Sequence, residues 1–235
     1  MKKILGLIMV SFLISGASAH AVNAEDRNHN AYYQLADVAV TEEIPTAAEL
    51  ANTNFEAFPR PVMNTAVWDD ILNGDWNTIV LVGKQIIEII KANQAVVNIK
   101  LDTLHAVPAG ITDWQTLAGW QPPLTKVFKV TMKNGFGSEV VNVRVKVSAT
   151  WGGNLDGRGH YLSNVTIVPT ETRVIWGWNL DLWSEARQPL NAGTKEDPIA
   201  SLGIDVRYKV KTYLNEMSGA QDYYITGDGK LLQME

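Results

Sequence analysis

Apolar and polar residues take turns along most of the C-terminal half of the chain. Over residues 124–133, Leu124, Phe128, Val130 and Met132 alternate with Val127, Lys129, Thr131 and Lys133. Asn134-Gly135-Phe136-Gly137 supplies a turn. Val141, Val143, Val145, Val147, Ala149 and Trp151 then alternate with Asn142, Arg144, Lys146, Ser148 and Thr150. A period of two on both sides of a Gly-containing turn predicts an antiparallel hairpin with one dry and one wet face. Three further stretches have this character. Residues 161–168 end at Pro169. Residues 172–182 put Val174, Trp176, Trp178, Leu180 and Leu182 on one side, and residues 202–214 set Leu202, Ile204, Val206, Tyr208 and Val210 against Asp205, Arg207, Lys209 and Lys211. Residues 223–226 and 230–234 close across Gly227-Asp228-Gly229.

The stretch from about 77 to 93 reads differently. Ile79, Val80, Leu81, Val82, Ile86, Ile87, Ile89 and Ile90 are apolar, and Lys84, Glu88 and Lys91 recur at i, i+4 and i+7. That spacing predicts a helix with a narrow polar stripe, buried on most sides. The competing reading, a β-branched strand over residues 79–82, is set aside because the polar positions recur at three to four residues rather than two. Alternation resumes briefly over residues 96–101. Thr112-Asp113-Trp114-Gln115 has capping-box form, and Pro122-Pro123 ends any helical turn begun there. The expected fold class is α+β, mainly β: a twisted antiparallel sheet or sandwich of about seven strands packed by one buried helix at about 77–93.

The N-terminal part divides the chain further. Lys2 and Lys3, the apolar run 4–14 and Ala17-Ser18-Ala19 have the three-part layout of a signal peptide over residues 1–19. The expected address is therefore secreted or periplasmic, with no transmembrane anchor, since the apolar run is too short to span a bilayer. Residues 20–66 carry seven acids against Arg27 and Arg60 and show no sustained period, which predicts an acidic, poorly ordered leader. Within it, Thr46-Ala47-Ala48-Glu49 after Pro45 has the form of a capping box for a short helix. Residues 67–235 form a single globular domain on this reading.

Composition narrows the chemistry. The chain has 235 residues, no Cys and a formal net charge of −5. Without Cys there are no disulfides, thiolate metal sites or cysteine nucleophiles, and the acidic balance argues against nucleic acid as partner. Phosphate-loop, zinc-protease and nucleophile-elbow motifs are absent from the sequence, and no cofactor or metal is implied. Asn154-Leu155-Asp156-Gly157 reads as a polar turn rather than a calcium loop, because Arg158 stands where an acceptor belongs.

Two candidate surfaces emerge. Trp183 has the opposite parity to the apolar residues of its stretch and keeps company with Arg173, Asn179 and Asp181. A flat apolar ring with hydrogen-bonding neighbours suits a sugar or other polar ligand. Lys129, Lys133, Arg144, Lys146, Arg207, Lys209 and Lys211 all take the wet parity, so they would form one basic sheet face if their strands were neighbours. Such a face suits an anionic surface, an acidic glycan or the chain's own acidic leader. The reading favoured is an exported, non-enzymatic β-domain that binds a cell-surface, glycan or protein partner. The alternatives are a membrane-active, pore-forming-like protein, and a hydrolase of extracellular polymers in which His160 or His105 would meet a carboxylate in a cleft.

Overall fold

The structure is a computed structural model that describes residues 30–51, 78–98, 102–111 and 113–234. The predicted signal peptide lies outside the described residues. A helical turn at residues 30–33 leads into β1 (Leu35–Glu43) and the one-turn helix α1 (Ala47–Ala51). There follow β2 (Ile79–Val82), β3 (Ile86–Lys91), β4 (Gln94–Ala95), β5 (Leu104–Pro108) and a 3-10 turn at Trp114–Thr116. The long strands are β6 (Gln121–Asn134), β7 (Glu139–Leu155), β8 (Arg158–Val174), β9 (Trp178–Ala186), β11 (Ala200–Thr212) and β12 (Glu216–Thr226). The short strands β10 (Leu190–Asn191) and β13 (Lys230–Gln233) complete the order.

These strands form two sheets, β1-β6-β7-β8-β5-β2 and β13-β12-β11-β9-β3-β4, with β10 against β11. Every named strand pairing is antiparallel. The sheets share one core, in which Phe128, Val143, Val145 and Leu162 of one meet Leu180, Leu202, Ile204 and Tyr223 of the other. Each such side chain removed from water contributes roughly 1.5–3 kcal/mol, which lets a chain without disulfides hold together. The fold is thus mainly β, and the alternation over 124–214 marks the inward positions: Val141, Val143, Val145, Val147, Leu202, Ile204, Val206 and Val210 are all buried.

The helix expected at 77–93 is not there. The segment is β2, a turn and β3, and the two strands join different sheets. Gly83, at φ +121°, makes the break, and Lys84 sits in the connection, bonded to Asp102 at 2.6 Å. A register shift between Glu88 and Ile90 then buries both Ile89 and Ile90, so Lys91 emerges three residues after Glu88 rather than two. A turn and a bulge together imitate the polar spacing of a helix.

The expectation of a poorly ordered leader over 20–66 also meets a difference. Residues 35–43 form an edge strand paired with β6 along its length, from Leu35 opposite Asn134 to Glu43 opposite Val127. The stretch 172–182 is not one strand either. The chain leaves the first sheet after Val174 and enters the second at Trp178, turning through Gly177 at φ +85°. Trp178 is buried as expected, but Trp176 lies in that turn and is 84% exposed.

Candidate functional site

The outer face of the second sheet gathers many of the residues that share the wet parity. Along β9, Asn179, Asp181 and Trp183 point the same way, and their partners on β11 are Lys211, Lys209 and Arg207 in that order. Glu88 of β3 lies on the other side of Trp183. Arg173 is not with them: it sits on β8 of the first sheet, opposite Asn142. The basic residues divide likewise. Lys129, Lys133, Arg144 and Lys146 belong to β6 and β7, whereas Arg207, Lys209 and Lys211 belong to β11. The single basic face therefore splits into the outer faces of two sheets turned away from each other, because the chain changes sheet at residues 175–177.

Neither half is a free field of positive charge. Arg207 pairs with Glu185 at 3.2 Å and Asp205 at 3.4 Å. Lys209 and Lys211 share Glu216, whose carboxyl is held below its ordinary range, first by the hydrogen bond from Lys209. Asp181 accepts the Ala92 N–H at 2.8 Å and thereby holds the left-handed turn at Ala92 and Asn93. Trp183 lies half-buried in a flat ladder of ion pairs.

On the first sheet, the acidic leader itself covers Lys126, Arg144 and Lys146. Glu42 pairs with Lys126 at 2.9 Å, and Glu43 pairs with Arg144. Thr46 and Glu49 form the predicted capping box: each backbone N–H donates to the other's side chain, at 2.8 and 3.2 Å. This fixes Glu49 over the sheet, where it meets Arg144 at 3.2 Å and accepts from the Thr170 hydroxyl at 2.7 Å. Burial alone would raise the Glu49 carboxyl, but the Thr46 N–H, the Thr170 and Thr46 hydroxyls and the Lys146 charge bring it below its ordinary value. Lys146 donates to the Glu49 carbonyl at 3.3 Å and is only 6% exposed, and burial lowers its ammonium pKa.

A different surface is unpaired and apolar, at one end of the sandwich. The helical turn 30–33 ties three loops together there. Gly135 donates its N–H to the Ala31 carbonyl at 2.9 Å. The Tyr32 hydroxyl donates to the Trp176 carbonyl at 3.0 Å. Thr212 and Asn215 both donate to the Tyr33 carbonyl, at 3.3 and 3.4 Å. The Tyr33 ring stands edge-on to Tyr32, 4.8 Å away, and 6.5 Å from Tyr213, and it packs where a side chain at Gly177 would be. Trp176, Tyr213 and Phe136 therefore crown one end of the molecule, 84%, 83% and 54% exposed, with Leu214 beside them. Alternation hides this end, because a continuous strand over 172–182 places Trp176 in the core. The signal was Gly177 between two tryptophans, which marks a turn rather than a strand interior.

The histidines are elsewhere. His160 approaches Asp197 at 3.8 Å, but both side chains are largely open to solvent rather than set in a cleft. His105 bonds to the Ser163 hydroxyl through Nδ1 at 2.9 Å and stacks on Trp114. Ser163 is wholly buried, so no substrate reaches its oxygen. Trp120 stands edge-on to Trp114 and packs on Gly153, so both loop tryptophans act as plugs. No cluster of three or more metal-ligating side chains occurs among the described residues. Compared with known protein families, characterised proteins and solved structures, the chain matches none.

Proposed function

We propose that this is an exported, non-enzymatic β-sandwich that attaches to a cell surface, and that its contact is the aromatic end docking at the lipid–water interface. The observation that carries the reading is the joint exposure of Trp176, Tyr213 and Phe136 on loops braced by the turn 30–33. Trp and Tyr favour the headgroup level of a bilayer, where one side of the ring is apolar and the other wet. Three rings on protruding tips suit a yielding interface; small molecules are held in concave sites. No helix among the described residues is long and apolar enough to cross a membrane, so attachment would be peripheral.

The charges supply the second half of the reading. Of the seven bases that the sequence singled out for an anionic partner, Arg144, Arg207, Lys209 and Lys211 are ion-paired within the protein and Lys146 is buried. Attachment would then depend on ring insertion, not on counter-charge, and would persist at high salt. Incubated with phosphatidylcholine vesicles and centrifuged, the protein is expected to co-sediment at low and high salt alike, with no gain from added phosphatidylserine. Trp176→Ala with Tyr213→Ala is expected to lower the partition by about tenfold or more, from the apolar area withdrawn, while the melting temperature holds. A wild-type protein that stays in the supernatant, or a folded double variant that binds as well, overturns the reading. Retention on a glycan instead would move the function to that partner.

A further inference from the structure

The shared core does not fill the space between the sheets. Toward the edge formed by β1 and β13 a cleft of about 510 Å³ remains, within the usual span of small-molecule sites, roughly 300–1,000 Å³. Val40, Val130 and Val145 line one wall, and Leu182 and Val206 the other. Two phenols stand among them. Tyr223 is 3% exposed, its ring against Phe128 at 4.6 Å, and its hydroxyl has no hydrogen-bond partner among the described residues. The Tyr208 hydroxyl likewise has none. Neither hydroxyl is sealed from solvent: both open into the cleft with their bonding capacity unused by the described residues, so a ligand there would set its polar atom against the phenols.

The remaining polar groups set the character of that atom. Gln221 donates to the Met234 carbonyl at 2.7 Å, and Gln233 lies at the same rim. Among the described residues no Lys, Arg or His lines the cleft, and the one acid there, Asp222, is held by Arg187 at 2.6 Å. A charged head would enter an apolar space with nothing to neutralise it, which is strongly unfavourable. We propose that the cleft binds a single neutral amphiphile, an apolar chain or ring bearing one uncharged hydroxyl or carbonyl that meets Tyr223 and Tyr208. This site is remote from the aromatic end in its residues and does not depend on attachment to lipid.

N-phenyl-1-naphthylamine, an uncharged fluorophore, tests the cleft on the whole chain. Saturable uptake of one dye per chain is expected. 1-Dodecanol should displace it, and dodecanoate at pH 8 should do so about tenfold less well, or worse, because its carboxylate would be buried unpaired. Val40→Trp fills the cleft from its edge strand and should abolish uptake. Tyr223→Phe keeps the ring and removes only the hydroxyl, so dodecanol should bind about 3- to 10-fold more weakly. Absence of saturable uptake, equal displacement by dodecanoate, or unchanged dye binding by a folded Val40→Trp overturns the proposal. Should Val40→Trp fail to fold, an unchanged dodecanol affinity in Tyr223→Phe overturns it alone.

Discussion

His105 shows how one buried side chain writes itself into the stability of the whole. Burial lowers its pKa to about 4 from an ordinary 6.5, only partly opposed by Asp113. Between those two values the unfolded chain binds a proton that the folded chain refuses, so stability falls as the pH falls from about 6.5 toward 4. The loss amounts to about 3 kcal/mol at the acid end. Urea midpoints measured across this range should drop for the wild type and flatten for His105→Gln, which carries no titrating group. A variant whose pH profile keeps the wild-type slope would show that other groups cause it. Single residues were also where local sequence grammar served best. Thr46 and Glu49 announce their capping box because the interaction is local, and Asn134-Gly135 and Asp156-Gly157 announce their turns for the same reason. Asp181 is the opposite case: its partner, the Ala92 N–H, is 89 positions away, so a residue that braces a turn looked like part of a ligand platform.

At the scale of elements, alternation is legible only where nothing interrupts it. Strands β6, β7 and β11 read cleanly because long runs of one parity are buried. The β2–β3 segment did not, since a single bulge shifts every later side chain by one position and turns a period of two into a spacing of three. Strand β8 passes through Pro169, where the sequence marked a stop. Its pairing with β5 ends at Val165, and a register shift accommodates the proline opposite Val145. Strand β1 was unreadable because both of its faces are partly covered, giving no clean contrast. Charge named the leader as one of three partners for the bases, alongside an anionic surface and an acidic glycan, and in the structure Glu42, Glu43 and Glu49 lie on Lys126, Arg144 and Lys146. Neutralising all three with Gln should unmask those bases. Retention on anionic beads at low salt should increase, and stability should fall by about 2–3 kcal/mol, since one partner of a largely buried network is removed. Neutralising Asp113, Asp156 and Glu196 to their amides instead changes net charge equally, frees no ion-paired base and should leave retention near the wild-type level. Equal retention by the two triples would mean that net charge, not unmasking, is responsible.

For the molecule as a whole, parity tells which way a side chain points but not which sheet it belongs to. That is why seven bases of one parity were expected on one face and the structure divides them at the 175–177 crossover. The same two-sheet geometry sets a gradient of stability. Strands β7, β8 and β11 are paired on both sides, whereas β1 and β13 are edge strands, each held by one neighbour, and the unfilled cleft lies between those two edges. Local opening needs least free energy where a strand has one neighbour and an incomplete core beneath it. Hydrogen exchange should therefore be fastest in the amides of β1 and β13 and slowest in β7 and β11. If the cleft is the seat of a neutral amphiphile, saturating dye should slow exchange at the β1 and β13 edge and leave the loops at residues 135–138 and 213–215 unaffected. Vesicles should do the reverse, protecting those loops and sparing the edge. Protection appearing in both regions with either addition would mean that the cleft and the aromatic end are one coupled site, and the separation drawn between them would fall.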